Sequence, residues 1–133
     1  MNQEIIPGAD DLYPKMGQMI FDIIPGDFSI ARTRVEMIND VSSCAIFYQK
    51  PDGRFQYLND GLDALEAKFR ELRNLFKSAG REAWTGATFN LSEDGEFSIE
   101  LSYDDISGFG QASDRRKAWI KRNLGEDAKI DWQ

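Results

Sequence analysis

An α+β domain, with helices packed on an antiparallel sheet of about five strands, is the fold this sequence predicts. Two observations predict it. Runs of period-two alternation recur in pairs separated by short turns, as in "WTGATFNLSEDGEFSIELSYDD" at 84–105, and short hairpin connections mean antiparallel pairing. Segments whose apolar residues return every three or four positions stand before, between and after those pairs, as helices do. The 133 residues suit one domain, 1–133, with a single core.

The elements follow in the order α-β-β-β-α-β-β-α. Residues 10–24 place Leu12, Met16, Met19, Ile20, Ile23 and Ile24 on one helical stripe. Asp10 or Asp11 is its expected cap, Pro14 is tolerable only near the first turn, and Pro25-Gly26 ends it. Phe28–Asn39 and Val41–Gln49 are then strands, followed by the turn "PDGR" and the short strand "FQYL". Along the first of these the apolar register changes from Phe28 and Ile30 to Val35 and Met37, which predicts a bulge or bend.

The middle helix is the clearest element: Leu62, Leu65, Phe69, Leu72 and Phe76 share a face. Asp60 is its expected cap, Gly80 its stop, and Glu66 and Arg70 a supportive pair on its outer side. In the hairpin that follows, Gly95 takes the turn. Its second strand puts Phe97, Ile99, Leu101 and Tyr103 on one face and Ser98, Glu100 and Ser102 on the other. The last helix, "SDRRKAWIKRNLG", is expected to be capped by Ser113, with Asp114 at its positive end and Lys121 and Arg122 at its negative end. Trp119 should face inward; Trp84 can pack or be exposed, and Trp132 can pack loosely or join a contact surface.

Composition removes several function classes. Apolar content is 41%, with nine Phe, four Tyr and three Trp, which fits a globular chain and not a disordered one. No apolar run is long enough for a membrane span, and "MNQEIIPGADD" lacks the basic start of a signal peptide, so a cytoplasmic protein is expected. With no histidine, the commonest general base and the Ser-His and Cys-His nucleophile pairs are gone. The lone Cys44 offers neither an internal disulfide nor a thiolate zinc cage. No reaction can be built from what is left, so no enzyme, cofactor or metal is expected. "GFGQAS" at 108–113 has no Walker lysine and no dinucleotide pattern, and is a flexible turn.

The formal net charge is −7, which disfavours nucleic-acid binding. It is also uneven. Leu91–Asp105 holds six acids (Glu93, Asp94, Glu96, Glu100, Asp104 and Asp105) and no base, while Arg115–Arg122 holds five bases and no acid. The basic run suits a solvated helix face that partly neutralises the hairpin. Asp104-Asp105 would hold magnesium only if the backbone turned there, because neighbouring strand residues point to opposite faces. A small metal- or ligand-binding domain on those two carboxylates is therefore the alternative reading, with a chaperone or adaptor for a secreted effector as another.

From Trp84 to Gly125 the ordered set is similar to the YezG-like immunity-protein family. The residues that carry the resemblance are Trp84, Thr85, Asp94, Gly95, Phe97, Ile99, Tyr103, Asp104, Asp105, Arg115, Trp119, Leu124 and Gly125. The Leu62–Phe76 helix and the "IIPGDF" segment fit the family's earlier parts; the glycine-rich "SGFGQAS" departs from the polar linker expected there. The resemblance implies an antitoxin that binds, one to one, a nuclease toxin encoded beside it and used between competing bacteria, and so protects the producing cell from within its cytoplasm. Nuclease clefts are basic, so the six hairpin acids would steer the encounter, with Trp84 or Tyr103 as an aromatic anchor. The N-terminal acids Glu4, Asp10 and Asp11 are eligible for the same task.

Overall fold

The computed structural model describes residues 6–132, so Glu4 lies outside the described residues. Helix α1 spans Ala9–Ile23, followed by strands β1 (Ile30–Ile38), β2 (Val41–Gln49) and β3 (Phe55–Leu58). Then come helix α2 (Asp63–Ser78), strands β4 (Gly86–Ser92) and β5 (Phe97–Ser102), helix α3 (Ala112–Asn123) and a two-residue strand β6 (Ile130–Asp131). All strands join one sheet in the order β5-β4-β1-β2-β3-β6. Every pairing is antiparallel except β3 with β6, which is parallel. The α+β class and the element order match expectation, but the sheet has a sixth strand. Two residues carry too little alternation to announce a strand, and β6 exists because Phe55 N–H reaches the Lys129 carbonyl at 2.8 Å.

The sheet separates two cores. On one face Ala31, Val35 and Met37 of β1, Ile46 of β2, and Phe89 and Leu91 of β4 meet the stripes of α1 (Leu12, Met16, Ile20) and α2 (Leu65, Phe69, Leu72). On the other, a smaller group of Ala45, Phe47, Phe55 and Trp119 lies under α3. Trp119 is the only buried residue of α3, and its indole N–H donates to Thr88 Oγ1 at 2.8 Å.

Strand β1 has no bulge. Its register is continuous from Ala31↔Tyr48 to Ile38↔Val41 on one side and from Ile30↔Ser92 to Glu36↔Gly86 on the other. The apparent slip arises because Ile30 faces the smaller core beneath α3, while Phe28 is buried ahead of the strand. Two faces, each with its own core, give one strand two apolar registers.

The helix starts also differ from expectation. Gly8 (φ 88°), Leu62 and Gln111 occupy the three N-cap positions, none with a side-chain cap. Asp10 and Asp11 lie within the first turn of α1, where they favour the helix through the positive end of its dipole instead. Pro14 sits in the second turn of α1; the Asp10 carbonyl that its missing N–H would have met is on the exposed side, where water can serve it. The stops hold. Gly80 (φ 75°) follows α2, with Gly80 N–H on the Lys77 carbonyl and Arg81 N–H on that of Phe76, the paired bonds of a Schellman end.

Candidate functional site: the margin of β5

The β4–β5 hairpin closes through a three-residue loop, Glu93-Asp94-Gly95, with Gly95 at φ 89° and its N–H on the Ser92 carbonyl. A side chain at that left-handed position would be strained, so glycine fixes the turn and with it the register Leu91↔Phe97 to Gly86↔Ser102. Glu93, Asp94 and Glu96 therefore stand exposed around the tip. Glu93 also borders a depression with Phe21, Asp27 and Phe28, lined by no base.

Further along β5 the acids have company. Glu100 and Asp104 line a groove of about 400 Å³ whose other wall is α3, with Arg115, Arg122 and Trp119, and whose floor includes Arg34 and Glu36. Glu36 accepts from Arg115 Nε at 2.9 Å and from Arg34 at 3.1 Å. The Arg34 guanidinium pKa lies below its ordinary value, chiefly from burial. The basic run thus faces part of the acidic one across the groove and offsets the field of Glu100 and Asp104. Glu93 has no such counterweight among the residues lining its depression.

Asp105 is occupied locally. Its Oδ1 accepts from both the backbone N–H (2.9 Å) and the hydroxyl (2.7 Å) of Ser107, and those bonds hold its pKa below the usual value. Asp104 is placed through its carbonyl, which accepts from Thr85 Oγ1 at 2.7 Å. Among the described residues no three His, Cys, Asp or Glu side chains come together as a metal cage.

The two aromatic candidates separate. Trp84 is 0% exposed; it packs inside the main core, with its carbonyl accepting from Arg73 Nε at 2.7 Å. It offers no surface to a partner, and its role is to fill the space between α2 and the sheet. Tyr103 is 43% exposed.

Two further residues, missed in the sequence, complete the margin. Phe97, on the same face as Ile99 and Leu101, is 42% exposed because β5 is the last strand of the sheet and, among the described residues, no strand lies beyond it. Its ring stacks on Phe89 (5.5 Å) and meets Tyr13 of α1 (6.2 Å). The phenol pKa of Tyr13 is raised by burial first, then by the charges of Asp10 and Tyr103. Tyr13 thus brings the first turns of α1, with Asp10, against β5. Tyr13 and Phe97 form the aromatic contact there, and Tyr103 follows the end of β5. Strand order alone could have exposed Phe97, and strand order is not written in local pattern.

A family model described as Immunity protein YezG-like matches residues 9–131. Immunity protein YezG of Bacillus spizizenii is 28% identical over 136 residues, covering 90% of this chain and 84% of that protein. Immunity protein YezG of Bacillus subtilis is 28% identical over 131 residues, covering 86% and 87%. The family match spans residues 9–131, nearly the whole length: the chain belongs to the YezG-like immunity-protein family.

Proposed function

We propose that this chain neutralises a nuclease toxin in the cytoplasm, one to one and without catalysis, by laying the β5 margin over the toxin's basic substrate cleft. A nuclease must hold phosphates, so its cleft is lined with Lys and Arg, and an acidic surface competes for the same charges. The observation that carries the reading is the β5 margin itself, an uncovered edge strand that bears exposed Phe97, is followed by exposed Tyr103 and is preceded by the exposed acids Glu93, Asp94 and Glu96. An aromatic centre within a charged rim is the arrangement that binds: the rings are desolvated and the rim sets orientation.

The charges are unequal in this reading. Glu93, Asp94 and Glu96 supply most of the long-range field, while Glu100 and Asp104 share theirs with Arg115 and Arg122. Asp105 chiefly orders the turn after β5.

The test is co-expression with the polypeptide of the adjacent reading frame, followed by purification and a nuclease assay on DNA, tRNA and other RNA. A stable one-to-one complex with the nuclease silenced is the expected result. If the chain leaves a nuclease encoded beside it fully active at equimolar concentration, the proposal is wrong.

A further inference from the structure

The two edges of the sheet are built differently. The β6 edge is two residues long, and Asp131 there is clasped by Lys50 at 2.6 Å and by Arg54. The Gln56 side-chain amide also donates to the Asp131 carbonyl. A short edge strand bearing a charged clasp discourages any further strand. The β5 edge has none of those devices. Its six residues pair with β4 in unbroken register, without proline, lysine or bulge, and among the described residues no strand lies beyond it.

The pattern of hydrogen bonds says which groups are left over. Met37 N–H bonds the Thr85 carbonyl and Glu93 N–H the Ser29 carbonyl, so the odd-numbered residues of β4 face β1. Ser92 N–H bonds the Glu96 carbonyl, so the even-numbered residues of β4 face β5. Alternation along β5 then turns the N–H and C=O groups of Phe97, Ile99 and Leu101 outward.

We infer that this edge accepts an extended cationic segment of the toxin as a seventh strand. The inference rests on the function proposed above and names the way that partner is gripped. Main-chain bonds would supply affinity, and Glu96 and Glu100 along the seam would select Lys and Arg on the incoming strand. The same charges disfavour a second copy, because pairing β5 with itself brings identical acids onto one seam.

Amide hydrogen exchange on the complex with the nuclease encoded beside this chain tests it. Phe97, Ile99 and Leu101 should exchange about 100-fold more slowly, or slower still, than in the free protein. Ser98 and Glu100, already bonded to β4, should change much less. A complex that silences the nuclease while those three amides exchange as before overturns the added strand and leaves neutralisation standing. Failure to form a complex overturns both. Protection that appears in the free chain as its concentration rises assigns the edge to a second copy and also overturns the inference.

A pair of variants gives a second readout. An edge strand tolerates proline where the N–H points outward. Ile99→Pro should keep the fold, by circular dichroism, and weaken the complex at least tenfold. Ile99→Ala, which trims the same side chain and keeps the N–H, should bind nearly as the parent does. Equal binding by two folded variants overturns the inference. If the proline variant fails to fold, the exchange experiment still decides.

Discussion

Phe97 lies nearly parallel to Phe89, at 15° and 5.5 Å, yet keeps 42% of its surface open to solvent. One ring belongs to the core and the next to the margin. Replacing Phe97 by Ala should therefore cost only ~1–2 kcal/mol of stability, below the ~3–5 kcal/mol of a fully buried phenylalanine such as Phe89. Its effect on toxin binding should be larger, a tenfold loss or more. Denaturant melts and titration calorimetry on the two variants separate these effects. A binding loss no greater for Phe97→Ala than for a surface control would remove Phe97 from the contact.

Charge reversal should divide the acids. Asp94→Lys with Glu96→Lys should slow association several-fold at low salt, and the difference should shrink as salt rises. Glu100→Lys should slow it less, because Arg115 and Arg122 already stand across the groove. Stopped-flow association at two ionic strengths checks the order. Equal effects would mean that the helix cations do not screen Glu100.

The indole N–H of Trp119 ties the buried side of α3 to Thr88 of β4. Trp119→Phe keeps an aromatic ring and drops the hydrogen bond, leaving Thr88 Oγ1 without its donor. About 1 kcal/mol of destabilisation is expected, against ~3–5 kcal/mol for Trp119→Ala. Similar melting midpoints for the two variants would show that α3 contributes little to the fold.

Asp131 should set the behaviour in acid. Hydrogen bonds from Arg54 and Lys50 hold its pKa far below the usual carboxylate value. A depressed folded-state pKa adds stability above the unfolded value, ~3.9, and that contribution fades as pH falls through the folded one. The β6 end should thus stay docked from neutral pH to about pH 4 and loosen only in stronger acid. Trp132, whose ring contacts Phe47 and Tyr57 and lies under Arg116, is the fluorescence reporter. Asp131→Asn should loosen that end already at neutral pH.

Cys44 is packed against the main core, and burial pushes its thiol pKa up to about 12. Thiolate is the reactive species, so a disulfide reagent at pH 8 should label the folded protein far more slowly than the denatured chain. Fast labelling of the native protein would mean that β2 opens readily.

Legible along the chain were the alternating and helical segments, their order, the Gly80 and Gly95 turns, the acidic bias of the hairpin and the family resemblance. Each is a local property: a side-chain period, a residue type that alone tolerates positive φ, or an ordered set of motifs. What depends on neighbours came from the folded packing. It sent Trp84 inside and Phe97 halfway out, since burial follows the place of a strand in the sheet. It supplied β6, whose two residues pair only because β3 is beside them. It set Arg115 and Arg122 opposite Glu100 and Asp104, and brought Asp10 and Tyr13 to the flank of β5, because charges and rings distant along the chain meet only once the helices have settled on the sheet.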